Sequence, residues 1–239
     1  MIERHLMKLR ARDEVSAEEE QAIRDAVSEV RELPADKALI RRGDVLKHST
    51  LLLDGLMSRY KDLPDGQRQI TELHVAGDFA DLHSFTLKYL DHNVRTLTPC
   101  RIAMVPHAAL TRITETLPHL ARMYWFHTNL DAAIHREWEL SLGRRTAIER
   151  TASLFCELHV RLKIVGLATD MGYDLQLTQE ELADCLGLTS VHVNRTLREL
   201  RERELVEFRS SRVQLTDLTG LRKIAGFDPA YLYLDRRPR

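Results

Sequence analysis

The chain has 239 residues, 44% hydrophobic and 30% charged, with a formal net charge of −1. This is the texture of a globular protein long enough for two domains. The balance excludes a global positive field, so any site for an anionic polymer must be local. No run of about 18 apolar residues is present, which excludes a membrane-spanning helix. Cys100, Cys156 and Cys185 are far apart and odd in number, so neither a disulfide framework nor a Cys-rich metal cluster is expected.

The N-terminal stretch "MIERHLMKLRARDE" is charged throughout and lacks the apolar segment of a signal peptide. With the sparse cysteines, this predicts a protein of the reducing cytoplasm. Ser16 and Glu19 form a capping box opening a helix, on which Ala22, Ile23, Ala26, Val27 and Val30 recur at helical spacing. After Pro34 come short apolar runs broken by turns. Gly43, Gly55, Gly66 and Gly77 fall 12, 11 and 11 residues apart, the rhythm of a small β-roll or sandwich over about residues 30–112. "LPDGQ" at 63–67 reads as a hairpin turn, because Asp-Gly tolerates positive φ.

From Pro118 the pattern turns helical. Leu120, Met123, His127, Leu130 and Ile134 follow a 3,4 spacing, which predicts a central helix over 118–143 packed along that seam on a second copy of itself. The competing reading packs the seam on the chain's own β domain. Gly143 and "RRTAIER" mark a bend into another helix, and residues 163–176 read as a loop.

The stretch "LTQEELADCLGLTSVHVNRTLRELRERELV", residues 177–206, holds two short helices. Thr178 and Glu181 cap the first, Gly187 ends it, and Thr189 or Ser190 caps the second. Val193, Leu197 and Leu200 share the second helix's inner face, while Val191, Asn194, Arg195 and Arg198 share the adjoining one. Such a pair is a helix-turn-helix, with the second helix in the DNA major groove. There an arginine can clamp guanine and an asparagine adenine. "LVEFRSSRVQL" follows as a hairpin wing, with Arg209 and Arg212 beside a Ser210-Ser211 turn and within reach of phosphates. Over 189–203, Arg195, Arg198, Arg201 and Arg203 stand against Glu199 and Glu202. The residues expected at DNA are therefore Thr178, Thr189, Ser190, Val191, His192, Asn194, Arg195 and Arg198, with Arg209 and Arg212 on the wing. A solvated helix with a surface hairpin, or a winged helix that pairs with protein, is the competing reading.

These motifs, with "LTDLTGLRKIAGFD" and "RTAIERTASLFCEL", resemble the CRP/FNR transcription regulators over nearly the whole chain. The resemblance implies an α+β fold: a sensor domain of N-terminal helices and a jelly-roll-like β-roll (1–117), a dimerisation helix (118–143) and a winged helix-turn-helix (144–239). It also implies a homodimer on a near-palindromic DNA site, an effector acting through the roll, and RNA polymerase meeting the loop 163–176. Members place an arginine on guanine where this chain has Arg195. Where they often carry a glutamate this chain has Val191, which cannot accept from cytosine N4 but can touch a thymine methyl.

Cyclic-nucleotide-binding members hold the phosphate with two Gly-Glu pairs, then an Arg followed by Ser or Thr. Here Gly77-Asp78 matches the first pair, Ala80-Asp81 replaces the second, and Leu90-Asp91-His92 falls at the arginine site. An Asp near a phosphate repels it, so cyclic AMP and cyclic GMP are not expected, although Arg95 could reach inward. The effector pocket is expected around Gly77, Asp78, Asp81, Leu82, His83, Asp91, His92 and Arg95. No cofactor is expected and the effector is not named. A cyclic-nucleotide-responsive regulator, or a haem or metal sensor in which His74, His83 and His92 meet inside the roll, is the alternative. Iron–sulfur chemistry lacks the N-terminal cysteines it needs. Cys100 reads as a small buried hydrophobe. Met123, Tyr124, Trp125 and Phe126 read as packing residues. No Gly-x-Ser-x-Gly, P-loop or HExxH motif occurs, and the β region lacks the His-x-His of metal-binding cupins, so no enzyme is expected.

Overall fold

Ile2, Leu6 and Leu9, four and three residues apart, bury one side of helix α1 (Glu3–Arg10) in a computed structural model that describes residues 1–237. Its charged residues mostly occupy the other side. Ser16 and Glu19 close the expected capping box on α2 (Ala17–Asp25). That helix stops earlier than its periodicity suggested, because Val30 belongs to the first strand, β1 (Glu29–Leu33).

The strands β2 (Ala38–Ile40), β3 (His48–Asp54), β4 (Leu56–Asp62), β5 (Arg68–Val75), β6 (Asn93–Thr96) and β7 (Cys100–Pro106) complete the roll, with a short helix α3 (Ser84–Leu87) before β6. They form antiparallel sheets of order β1-β7-β3 and β2-β6-β4-β5. Strands β3 and β7 are apolar on both faces, which is why "LLL" and "IAMV" are unbroken runs. Leu52 and Ile102 point into the roll with Met57, Leu90, Val94 and Cys100. Leu51, Leu53, Ala103 and Val105 point the other way, onto α1, α4 (His107–Thr116) and the start of α5 (Pro118–Arg144). At "LPDGQ" the Leu63 amide donates to the Gln67 carbonyl at 2.7 Å, and Gly66 takes φ 86°.

The chain divides into two units. One holds residues 1–61, 73–132 and the described residues from 233 to 237; the other holds 62–72 and 133–232. The division falls inside α5, so the three-part organisation expected from the sequence differs from these compact units.

The expected seam on α5 is corrected. Leu120, Met123, His127, Leu130 and Ile134 are all buried within the single chain, so they are not free to meet a second copy. The 3,4 spacing was real, but it marks the side that the chain covers itself. The adjoining stripe of Arg122, Trp125, Asn129, Ala132, Arg136 and Leu140 has the same spacing and is exposed. Trp125 is 69% and Leu140 49% accessible.

In the second unit α6 (Ala147–Ile164) is buried from Thr151 to Leu162. Its Glu157 accepts from Trp138 Nε1 at 3.1 Å, Tyr231 Oη at 2.9 Å and Arg161 Nη1 at 2.9 Å. The helices α7 (Gln179–Leu186), α8 (Ser190–Glu202) and α9 (Leu218–Ala225) pack around α6 with the wing strands β10 (Val206–Arg209) and β11 (Arg212–Leu215). The expected loop 163–176 instead carries two strands, β8 (Ala168–Thr169) and β9 (Gly172–Asp174), which extend the wing sheet in the order β10-β11-β9-β8. Among the described residues, no helix is long and apolar enough to cross a membrane.

Candidate nucleic-acid interface and roll interior

Thr178 accepts from the Glu181 amide at 3.1 Å, and Glu181 accepts from the Thr178 amide at 2.8 Å, so two orphan amides of α7 are satisfied reciprocally. Gly187 ends α7 in the left-handed conformation at φ 60°, which favours a residue without a side chain. Thr189, rather than Ser190, caps α8 by accepting from the His192 amide. Both threonines thus have structural work at helix starts.

The cap sets the rotation of α8. Val193, Thr196 and Leu200 are buried, while Val191, His192, Asn194, Arg195 and Arg198 are exposed, with Ser190 intermediate. Val191 is 80% accessible, an apolar side chain held where only a partner would cover it. Arg195 Nη2 donates to His192 Nε2 one turn back. Asn194 Nδ2 lies 2.7 Å from Gln179 Oε1 and 3.1 Å from the Ser190 carbonyl. Gln179 and Arg201 join Asn194, Arg195, Arg198 and Phe208 along one open cleft. Neither Gln179 nor Arg201 was among the residues expected at DNA. Gln179 was signalled only by following the cap at the start of the first helix.

The wing turns at Ser210 and Ser211 with φ 51° and 58°, both positive as a two-residue hairpin turn requires. Arg209 and Arg212 sit directly opposite each other. Arg212 pairs with Asp174 at 2.8 Å and Arg209 with Glu207 at 3.4 Å. Such exposed pairs are worth about 0–1 kcal/mol, little enough to be exchanged for a phosphate.

Inside the roll the expected pocket is rearranged. Gly77, at φ 95°, donates to the Leu52 carbonyl, and an added Cβ would lie 2.7 Å from the Arg4 carbonyl oxygen. Asp78 is buried in an ion pair with Lys8 of α1 and accepts from the Val75 amide. The Ala80 amide donates to the Thr50 carbonyl. Leu82 lies in the apolar core. The bend before β6, and β6 itself, then correct two expectations. Leu90, His92 and Val94 are buried, whereas Asp91 lies outside and pairs with Lys61 at 2.6 Å. Lys61 and His92 hold its carboxyl well below the usual range. Arg95 points to the outer face too, toward Asp36 at 3.3 Å and over the Tyr60 ring. Asp91 therefore does not supply the repulsion expected of it.

The buried cation of the roll is Arg59 on β4, two residues from the inward Met57. It is 4% exposed, donates to the Ala80 carbonyl at 3.1 Å and faces Asp131 at 3.6 Å. Its only advance signal was its register with Met57. His83 and His92 do meet, with ring centroids 5.4 Å apart, while His74 is buried on β5. Burial and Arg59 lower the His92 pKa to about 4. The neutral ring donates from Nδ1 to Asp91, leaving Nε2 an unprotonated, buried acceptor without a hydrogen-bond partner. Among the described residues, no group of three or more His, Cys, Asp or Glu could hold a metal ion. Cys100 is buried, and burial raises its thiol pKa.

Asp81 accepts from the Thr50 amide and from Ser84 Oγ. Burial nevertheless pushes its pKa up to about 7. A folded-state pKa above the unfolded value means that the group's stabilisation is complete below about pH 4 and is lost as pH rises through about 7. Asp81→Asn keeps the acceptor for Thr50 and imitates the protonated acid. It is expected to match the unsubstituted protein near pH 4 and to exceed it at pH 8 by a few kcal/mol, about 4 at most. Urea denaturation at the two pH values checks this.

Comparison with known proteins agrees with both halves of this description. Residues 30–116 match the cyclic nucleotide-binding domain and residues 149–224 the Crp-like helix-turn-helix domain. A probable transcriptional activator of Rhizobium leguminosarum bv. viciae is 34% identical over 174 residues, covering 72% of this chain and 70% of the relative. The transcriptional activator protein FnrL of Cereibacter sphaeroides is 30% identical over 216 residues, covering 88% of this chain and 86% of its own length. The solved structure of FixK2 from Bradyrhizobium japonicum shares the fold, with a TM-score of 0.76 at 23% identity over 84% of this chain and 98% of that one.

Proposed function

The chain belongs to the CRP/FNR family of transcription regulators, and on that premise we propose that it is a homodimeric activator whose α8 reads a near-palindromic DNA site. The observation that carries this reading is the solvent face of α8, where Val191, Asn194, Arg195 and Arg198 stand together along a cleft that also reaches Glu207 and Phe208 at the base of the wing. The relatives named as activators support activation, and with it a contact to RNA polymerase by the hairpin that occupies residues 163–176. The two copies meet along the exposed α5 stripe centred on Trp125, Asn129 and Ala132, whose 3,4 spacing runs along the helix. The protein acts in the cytoplasm, on DNA, and performs no chemistry of its own.

The effector enters the roll but is not a cyclic nucleotide. The backbone amides of Gly77 and Ala80 are already spent on the Leu52 and Thr50 carbonyls. Asp78 is neutralised by Lys8, and α1 closes over Gly77. A ligand would meet Arg59, Asp81 and the His92 acceptor instead.

Selection of bound sites from random duplex DNA tests the function. The expected product is one two-fold site with half-site centres about 34 Å apart; recovery without sequence preference would overturn the reading. Calorimetric titration with cyclic AMP and cyclic GMP is expected to show no micromolar binding, and heat at that concentration would return the cyclic-nucleotide reading to favour.

A further inference from the structure

The Ser190 carbonyl oxygen can only accept a hydrogen bond, so the atom of Asn194 that faces it at 3.1 Å must be the amide nitrogen. The same nitrogen lies 2.7 Å from the Gln179 side chain, which must therefore present its oxygen. Asn194 Nδ2 carries two protons, and these two partners use both. What remains on this exposed side chain is Oδ1, an acceptor with no hydrogen-bond donor among the described residues of the chain. Clamping adenine takes both at once: Nδ2 donating to N7 while Oδ1 accepts from N6. On the same face, one turn earlier, Val191 offers no hydrogen bond at all.

We propose that Gln179 is a specificity-determining positioning residue, which by holding the Asn194 amide nitrogen turns Asn194 from an adenine clamp into a lone acceptor. This rests on the reading that α8 lies in the major groove. An acceptor there pairs with the amino group of adenine N6 or cytosine N4 and opposes guanine O6 and thymine O4. The step facing Asn194 is thus read as amino against keto. Two helices share the task, since Gln179 starts α7 and Asn194 lies on α8.

The experiment is competitive binding of the full-length protein to its selected site, with all four bases placed at each step of one half-site. Asn194→Ala identifies the step by losing preference there. The unsubstituted protein is expected to take adenine and cytosine within about threefold of each other, and both about tenfold over guanine and thymine. Gln179→Ala releases one amide proton, and adenine is then expected to exceed cytosine about tenfold. Gln179→Glu keeps the acceptor and is expected to restore the original pattern. An unsubstituted protein that already prefers adenine about tenfold overturns the proposal, as does a Gln179→Ala variant whose adenine-to-cytosine ratio is unchanged, even if it binds all sites more weakly. Failure of the underlying reading looks different, because Asn194→Ala would then leave the preference at every step unchanged.

Discussion

Trp125→Glu combined with Leu140→Glu is expected to leave a folded monomer that binds its DNA site at least about a hundredfold more weakly. Trp125 and Leu140 are 69% and 49% accessible in the single chain, so their replacement removes nothing from the core. Each apolar side chain buried between two copies contributes about 1.5–3 kcal/mol, and a two-fold interface presents each of them twice. Losing the dimer converts a two-half-site interaction into single half-site binding, and the forfeited effective concentration is worth about 10²–10⁴ in affinity. Sedimentation and circular dichroism on the same sample read mass and fold together. A matched variant, Leu130→Glu, separates the two α5 stripes. Leu130 is 4% exposed inside the chain, and burying a charge there is expected to unfold the protein rather than to yield a native monomer. A double variant that remains dimeric would show that the exposed stripe is not where the copies meet.

Arg195→Ala is expected to cost about 1–3 kcal/mol on the selected site and to erase the preference at one base pair of each half-site. The guanidinium stands on the exposed face of α8 with His192 Nε2 accepting from Nη2, so one edge of the fork is anchored to the helix and the rest is free for a base. Arg195→Lys keeps the charge but not the planar fork, and is expected to hold affinity better than selectivity. Arg209→Ala and Arg212→Ala should behave in the opposite manner. They release Glu207 and Asp174 from surface pairs, weaken all sequences alike, and reduce the salt slope by about one unit for each phosphate that is no longer neutralised. Binding isotherms on the site and its single-base variants at several salt concentrations distinguish the two behaviours. If Arg195→Ala keeps full discrimination, the base-reading surface lies elsewhere.

The features legible from residues alone depend on neighbours within one turn of chain. The capping boxes Ser16–Glu19 and Thr178–Glu181, the Gly187 helix end, the Asp65-Gly66 hairpin and the Ser210-Ser211 wing turn are short-range geometry, and the structure has each of them. The inner face of α8 was readable in part, because a 3.6-residue period rotates Val193 and Leu200 to one side, but Leu197, expected with them, is half-buried at the edge of the cleft and Thr196 is buried instead. Other features needed partners far along the chain. Asp91 and His92 lie in the bend that leads into β6, so nothing periodic in the sequence could say which of them faces inward; that was decided by where β6 pairs and by Lys61, which holds Asp91 outside. Arg59 became an interior cation only when β4 met β6 and the turn at Ala80. On α5 two stripes share one spacing. Which one the chain covers depends on the apolar surface that Leu51, Phe79 and Leu110 bring to its first half, much of it from tens of residues upstream. Burial of Leu120 and Met123 there left Trp125 outward, because a helix that turns one side to its own core must offer the other to solvent or to a second chain.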